Sequence, residues 1–224
     1  MSGVKMHRRG AGIAAALFAG ILSAQSASAA LLTLDDVTLP GDPVQIVNGV
    51  NDGDANASGV GGGGSEGAAQ AIDNTTTKYL NFADLGSGFI VSPSRGPSIV
   101  KAIRLYAAND APERDPASFW LEGAASPNGP FTLIAASNVT LGARNAGGQQ
   151  IEPNGPNTMN FVDFSFPNTT AYATYRVTFP TIANAAFANS MQIGEVELLG
   201  TIIPEPATLG LVSIGALGLL RRRR

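Results

Sequence analysis

Three carboxylates, Asp110, Glu113 and Asp115, fall within six residues of one another. Glycoside hydrolysis needs two opposed carboxyls about 5 to 9.5 Å apart, so this loop is the place to look for acid–base chemistry. Its other residues argue for a simpler use. Arg114 sits among the acids, and Pro112 and Pro116 stiffen the turn. A rigid loop whose Asn and Asp side chains bond their own backbone accounts for all of them. Asp52, Asp54 and Asn56 have the spacing of the first ligands of a calcium loop, but the glycine of the sixth position and the closing glutamate are missing. Gly59, Gly61 and Gly64 satisfy G-x-G-x-x-G, yet no strand precedes them and no lysine follows, which removes the phosphate-loop reading. The sequence has no cysteine, and its one histidine, His7, lies in a segment that export removes. Ser–His–Asp triads, cysteine nucleophiles and histidine-ligated zinc are thereby excluded from the mature chain.

The segments that would deliver these residues to their place of action lie at the two ends. Lys5, Arg8 and Arg9 precede an apolar run over 11–24, and Ala27-Ser28-Ala29-Ala30 follows it. This is the order of a secretory signal peptide over 1–30, cut after Ala29 or Ala30. At the other end Pro204, Glu205 and Pro206 precede fourteen uncharged residues, 207–220, and then Arg221, Arg222, Arg223 and Arg224. The prolines bar a helix from starting earlier. A transmembrane helix over 207–220 would rise about 21 Å, less than the ~20 apolar residues of a comfortable span provide. The arginines stop translocation and hold the C-terminus on the cytoplasmic side. A buried core helix is excluded, because the arginine block would be buried with it.

This hinge, short apolar helix and basic stop together resemble the PEP-CTERM sorting signal of Gram-negative bacteria, over residues 204–224. The resemblance implies an exosortase as partner and transient anchoring in the inner membrane. Cleavage at the Pro204–Pro206 motif and a final place at the cell surface, or in an extracellular matrix rich in polysaccharide, would follow. An ordinary C-terminal anchor is the plain alternative.

Without the two signals, residues 31–203 form one domain large enough for a real core. They hold seven basic and sixteen acidic residues, a net charge near −9. Nucleic acid and anionic lipid, which need a basic footprint, are therefore not expected partners. Residues 31–67 read as one or two short strands followed by a loop of Gly, Asn, Asp, Ser and Ala that cannot pack a core. From 68 to 202 the pattern is β throughout. Strands are expected over 88–91, 99–107, 118–123, 131–135, 160–166, 175–179 and 191–200, with proline- and glycine-rich turns between them. Ile103 with Leu105, Phe119 with Leu121, and Val177 with Phe179 share inward faces. The expected fold is all-β, a jelly-roll sandwich, with the signal helix before it and the transmembrane helix after it.

Residues 71–82, 100–123 and 190–200 resemble discoidin-like, galactose-binding-type modules, so the likeness covers about 68–200. It implies a β-sandwich that binds carbohydrate or other surfaces through loops at one end. It also implies a structural Ca²⁺ held by Asp73 and Glu195, with Asn74, Thr77 and the Gly194 carbonyl as further ligands. All are hard oxygen donors, and no organic cofactor is implied. Asp73 capping a turn and Glu195 pairing with an arginine is the alternative use of those residues. Trp120, the only tryptophan, points away from the side that Phe119 and Leu121 share. A lone large aromatic in a sandwich is more often core than platform, so Trp120 is expected in the core. Tyr79, Tyr106 and Phe187 are not placed by the pattern. The function these residues support is a non-catalytic surface module for polysaccharide. A carboxylate enzyme acting on polysaccharide and a purely structural matrix protein are the alternatives.

Overall fold

The alternating segments fold into strands that pair antiparallel throughout, in a computed structural model that describes residues 34–48, 65–83, 85–142 and 161–203. The signal segment with Ala29 and Ala30, the run from Asp52 to Asn56 with its glycines, and the tail with Pro204, Glu205, Pro206 and Arg221 to Arg224 lie outside those residues. The strands are β1 (Asp35–Asp36), β2 (Val44–Val47), β3 (Tyr79–Asn81), β4 (Ser87–Val91), β5 (Ser98–Tyr106), β6 (Ser118–Ala124), β7 (Thr132–Asn138), β8 (Phe161–Ser165), β9 (Thr174–Phe179), β10 (Met191–Ile193) and β11 (Glu195–Ile202). One sheet has the order β1-β11-β5-β8 and the other β2-β4-β9-β6-β7, while β3 and β10 form a separate pair. The fold is thus the all-β sandwich expected.

Period-two alternation places one face of each large sheet in a shared core. Ile103, Leu105, Phe119, Leu121, Val177 and Phe179 are all buried there, with Phe89, Val91, Val196 and Leu198. Burying each such side chain contributes about 1.5–3 kcal/mol. The sheets touch where the rings of Phe119 and Phe164 lie 5.0 Å apart. They also meet where Tyr175 Oη and Ser98 Oγ share a hydrogen bond of 3.0 Å. A bulge in β5 adjusts the pattern. Ala102 faces Leu199 and Val100 faces Gly200, so Lys101 has no partner residue and points to solvent. The extra residue lets Val100 and Ile103, three apart, both face inward.

The strand expected over 191–200 is divided at Gly194. Its first part, β10, pairs with β3, and its second, β11, pairs with β5. This division matters for function, because it brings the start of β11 against the loop that precedes β3.

Candidate functional site

The loop 73–77 is held from both sides. Before it, a 3-10 turn over Ala68–Ala71 buries Ala68 and Ala71, and Ile72 follows them into the core. After it, β3 pairs Tyr79 with Ile193, and the Tyr79 hydroxyl donates to the Gly88 carbonyl at 3.0 Å. Within the loop Asp73 caps the turn. Its Oδ1 accepts from the Thr75 N–H at 2.9 Å and from Thr75 Oγ1 at 2.8 Å, and its Oδ2 accepts from Thr77 Oγ1. Asn74 takes the left-handed conformation with φ 57°, which asparagine tolerates better than most residues. That conformation turns its N–H toward Glu195, whose Oε2 accepts at 3.1 Å.

Glu195 is fully buried at the first position of β11, opposite Tyr106. Burial pushes its carboxyl well above the usual carboxylate range, and the charges of Asp73, Asp36 and Glu197 push it the same way, against the Asn74 hydrogen bond. Among the described residues no arginine pairs with it. Arg104 instead pairs with Asp163 at 2.7 Å and Glu197 at 3.3 Å, while Tyr106 donates to Glu197 at 2.7 Å. Two oxygens in this corner, Glu195 Oε1 and Asn74 Oδ1, are buried and accept no hydrogen bond. Buried acceptors without donors cost stability unless something positive meets them.

Of the residues that the sequence resemblance assigns to calcium, the structure brings Asp73, Asn74 and Glu195 together. Gly194 lies next to Glu195, its N–H donating to the Tyr106 carbonyl at 2.9 Å. Thr77 directs its hydroxyl to Asp73. Among the described residues no group of three or more His, Cys, Asp or Glu forms a metal cluster. The corner offers two carboxylates, Asp73 and Glu195, and the amide oxygen of Asn74. The chemistry of that donor set fits a hard cation such as Ca²⁺.

The acidic loop is tied down. Lys78, itself buried, reaches Asp110 at 2.6 Å and Glu66 at 3.6 Å. Asp115 is buried, with Gln192 Nε2 3.4 Å from its Oδ1, and the Glu113 carbonyl accepts from the Asn184 N–H. Lys78 and Gln192 hold the loop in place, and neither pairing was legible in the sequence.

Trp120 corrects the core expectation. It is 49% exposed on the outer face of β6. Phe119 and Leu121 on either side of it face the core, so strand parity decides over residue type. Tyr79 and Tyr106 are buried, and Phe187 is exposed. The row across the sheet at Trp120 runs through Ala136 on β7, Thr178 on β9 and Gly88 on β4. The adjacent row runs through Leu133, Glu122, Arg176 and Ile90. Arg176 forms a two-pronged pair with Glu122 at 2.6 and 2.8 Å, and its guanidinium lies 4.3 Å from the Phe131 ring centre.

Comparisons with known proteins bear on both ends of this description. A putative chitobiase fragment from Bacteroides thetaiotaomicron superposes with a TM-score of 0.50 at 16% identity, covering 74% of this chain and 96% of that one. CBM32-3 from a family 31 glycoside hydrolase of Clostridium perfringens gives 0.49 at 12% identity, with 70% and 91% covered. The family 32 CBM of C. perfringens NanJ, in complex with galactose, gives 0.45 at 12%, with 70% and 93% covered. At these identities the likeness to the chitobiase fragment shows the fold alone. No protein of curated function matches the sequence. No helix among the described residues is long and apolar enough to cross a membrane. Residues 203–224 match the family model of the PEP-CTERM protein-sorting motif, which implies sorting by an exosortase, so the chain joins a β-sandwich directly to that motif.

Proposed function

We propose that this protein is exported, held briefly in the inner membrane, and released by an exosortase to the surface of a Gram-negative cell, where its sandwich binds extracellular polysaccharide without catalysing a reaction. The observation that carries this reading is the junction of domain and motif. β11 pairs with β5 as far as Ile202, the Ile203 N–H donates to the Pro97 carbonyl at 2.8 Å, and the sorting motif begins at residue 203. A cut at Pro204 to Ala207 would therefore break no pair of the described ladder and leave a whole domain behind. The resemblance of 68–200 to discoidin-like modules, together with the sandwich itself, supports polysaccharide as the partner. Fold does not fix a ligand, so the sugar must be found by binding. A glycan array probed with the processed protein tests this. Selective retention supports the module, release of a shortened glycan supports a carboxylate enzyme, and silence supports a structural matrix role.

A structural Ca²⁺ belongs to the same proposal. Asp73, Asn74 and Glu195 would hold it, with the Gly194 carbonyl and Thr77 as the remaining members of the set. Bound there, the ion would supply charge balance to a buried carboxylate and fasten the loop before β3 to the start of β11. The two buried acceptor oxygens without donors, Glu195 Oε1 and Asn74 Oδ1, support it.

A further inference from the structure

We propose that the outward face of the five-stranded sheet, centred on Trp120, is a binding platform for a neutral hexopyranose polymer. The proposal rests on the polysaccharide reading above and gives it a location on the sheet face, away from the cation corner. The position of Trp120 is the first argument. An indole left half exposed on a sheet interior strand gives up hydrophobic stabilisation unless something covers it. Its lateral neighbours are small, Ala136 on one side and Thr178 on the other, and Gly88 lies beyond Thr178. Gly88 cannot be filled in, since a Cβ there would lie 2.0 Å from the Val177 carbonyl oxygen. Ala136 is exposed, so the indole stands clear of its β7 neighbour, whereas Thr178 and Gly88 on the other side are buried.

The second argument is the polar pair beside the indole. Glu122 and Arg176, two residues along their strands from Trp120 and Thr178, present a planar donor–acceptor fork, and Arg176 is braced against Phe131. A pyranose has apolar C–H faces and a rim of hydroxyls. Its C–H face suits the indole, and its hydroxyls both donate and accept, so they can meet the carboxylate and the guanidinium together. A protein partner burying the same face would have to desolvate the Glu122–Arg176 pair, which costs more than it returns unless new partners are supplied.

Charge decides between sugars. Arg176 is already neutralised by Glu122, and residues 31–203 carry a net charge near −9. A uronic-acid polymer would be repelled at this face, whereas a neutral one would not.

Trp120 is the only tryptophan, so its fluorescence reports this face alone. The test uses the full chain in a detergent without a sugar headgroup, titrated with dextran, a galactomannan, a mixed-linkage β-glucan and alginate. At least one neutral polymer should shift the emission and shield the indole from acrylamide, and alginate should not. Trp120→Ala, read by affinity electrophoresis, should weaken that binding by at least about tenfold. Trp120→Phe should recover part of it, with the melting temperature unchanged in both variants. If a neutral polymer binds but leaves the emission and the Trp120→Ala affinity unchanged, the platform is refuted and the polysaccharide reading stands. Binding of no polymer would refute both. Binding of alginate alone would refute the neutral-sugar assignment. Shielding that grows with protein concentration in the absence of sugar would show a second copy on this face and overturn the proposal.

Discussion

The Asn74 N–H donates to Oε2 of Glu195 at 3.1 Å, joining two residues 121 positions apart in the chain. The bond fixes one carboxylate oxygen and leaves the other, Oε1, buried with no donor, beside a buried Asn74 Oδ1 in the same state. A cation supplied to this corner would relieve both, and the stability of the domain should follow its supply.

Calcium at a hundred times its dissociation constant should stabilise the fold by about 2.7 kcal/mol. For a domain of this size that corresponds to a rise in melting temperature of roughly 5 to 10 °C. Chelator should reverse the rise. Asp73→Ala should melt low and not respond to calcium. Glu195→Gln should also lose the response, yet in chelator at pH 8 it should melt above the wild type, because it removes the buried charge and its amide can donate to Asn74 Oδ1. A wild type whose melting is indifferent to both calcium and chelator would remove the site.

The same corner predicts how the metal-free protein responds to pH. Burial raises Glu195 well above the carboxylate range and raises Asp36 to about 7, the latter against hydrogen bonds from the Thr38 N–H and hydroxyl and the Leu198 N–H. Both groups hold protons in the folded state that the unfolded chain releases near pH 4. Their contribution is therefore complete below about pH 4, and is lost for Asp36 as pH rises through about 7 and for Glu195 as pH rises through its own raised value. In chelator, stability should fall from pH 5 to pH 8. With calcium the fall should shrink, since ligation needs Glu195 ionised and so tightens as pH rises. Denaturant melts at three pH values, with and without calcium, would show it. A chelated protein that gains stability from pH 5 to 8 would contradict the assignment.

Gly88 tests the packing of the outer sheet. A Cβ at this position would lie 2.0 Å from the Val177 carbonyl oxygen and 2.9 Å from Thr178 Cα, both backbone, so the strands must separate to admit it. Gly88→Ala should cost about 1–3 kcal/mol or more, seen as a melting temperature lower by several degrees. An unchanged melt would mean that β4 and β9 are not in this register.

Much of the sandwich was legible because alternation needs only strand parity. Phe119 and Leu121, or Val177 and Phe179, declare an inward face whatever lies opposite. Parity also held Trp120 apart from its neighbours, and the expectation of a buried tryptophan failed because residue type was weighed above it. The division of the last strand at Gly194 was not legible. It depends on β10 leaving for β3, a pairing between segments more than a hundred residues apart. The meeting of the Asp73–Asn74 loop with Glu195 was legible only through resemblance, since nothing local relates these residues. The Glu122–Arg176 fork was missed for the same reason, as it needs the register of β6 on β9.

Sorting is the centre of the account, and the intact mass of the protein recovered from the surface of an exosortase-bearing host tests it most directly. The account predicts a chain beginning after Ala29 or Ala30 and ending between Pro204 and Ala207, with Arg221 to Arg224 gone. Glu205→Ala should give instead a membrane-bound chain with the tail intact, because it alters the motif and leaves the apolar run in place. Serine at positions 221–224 should spoil retention before processing, since each arginine costs about 2.5–3.5 kcal/mol at the bilayer centre and so would hold the C-terminus on the cytoplasmic side. A wild-type surface protein whose mass still includes Arg224 would contradict the account.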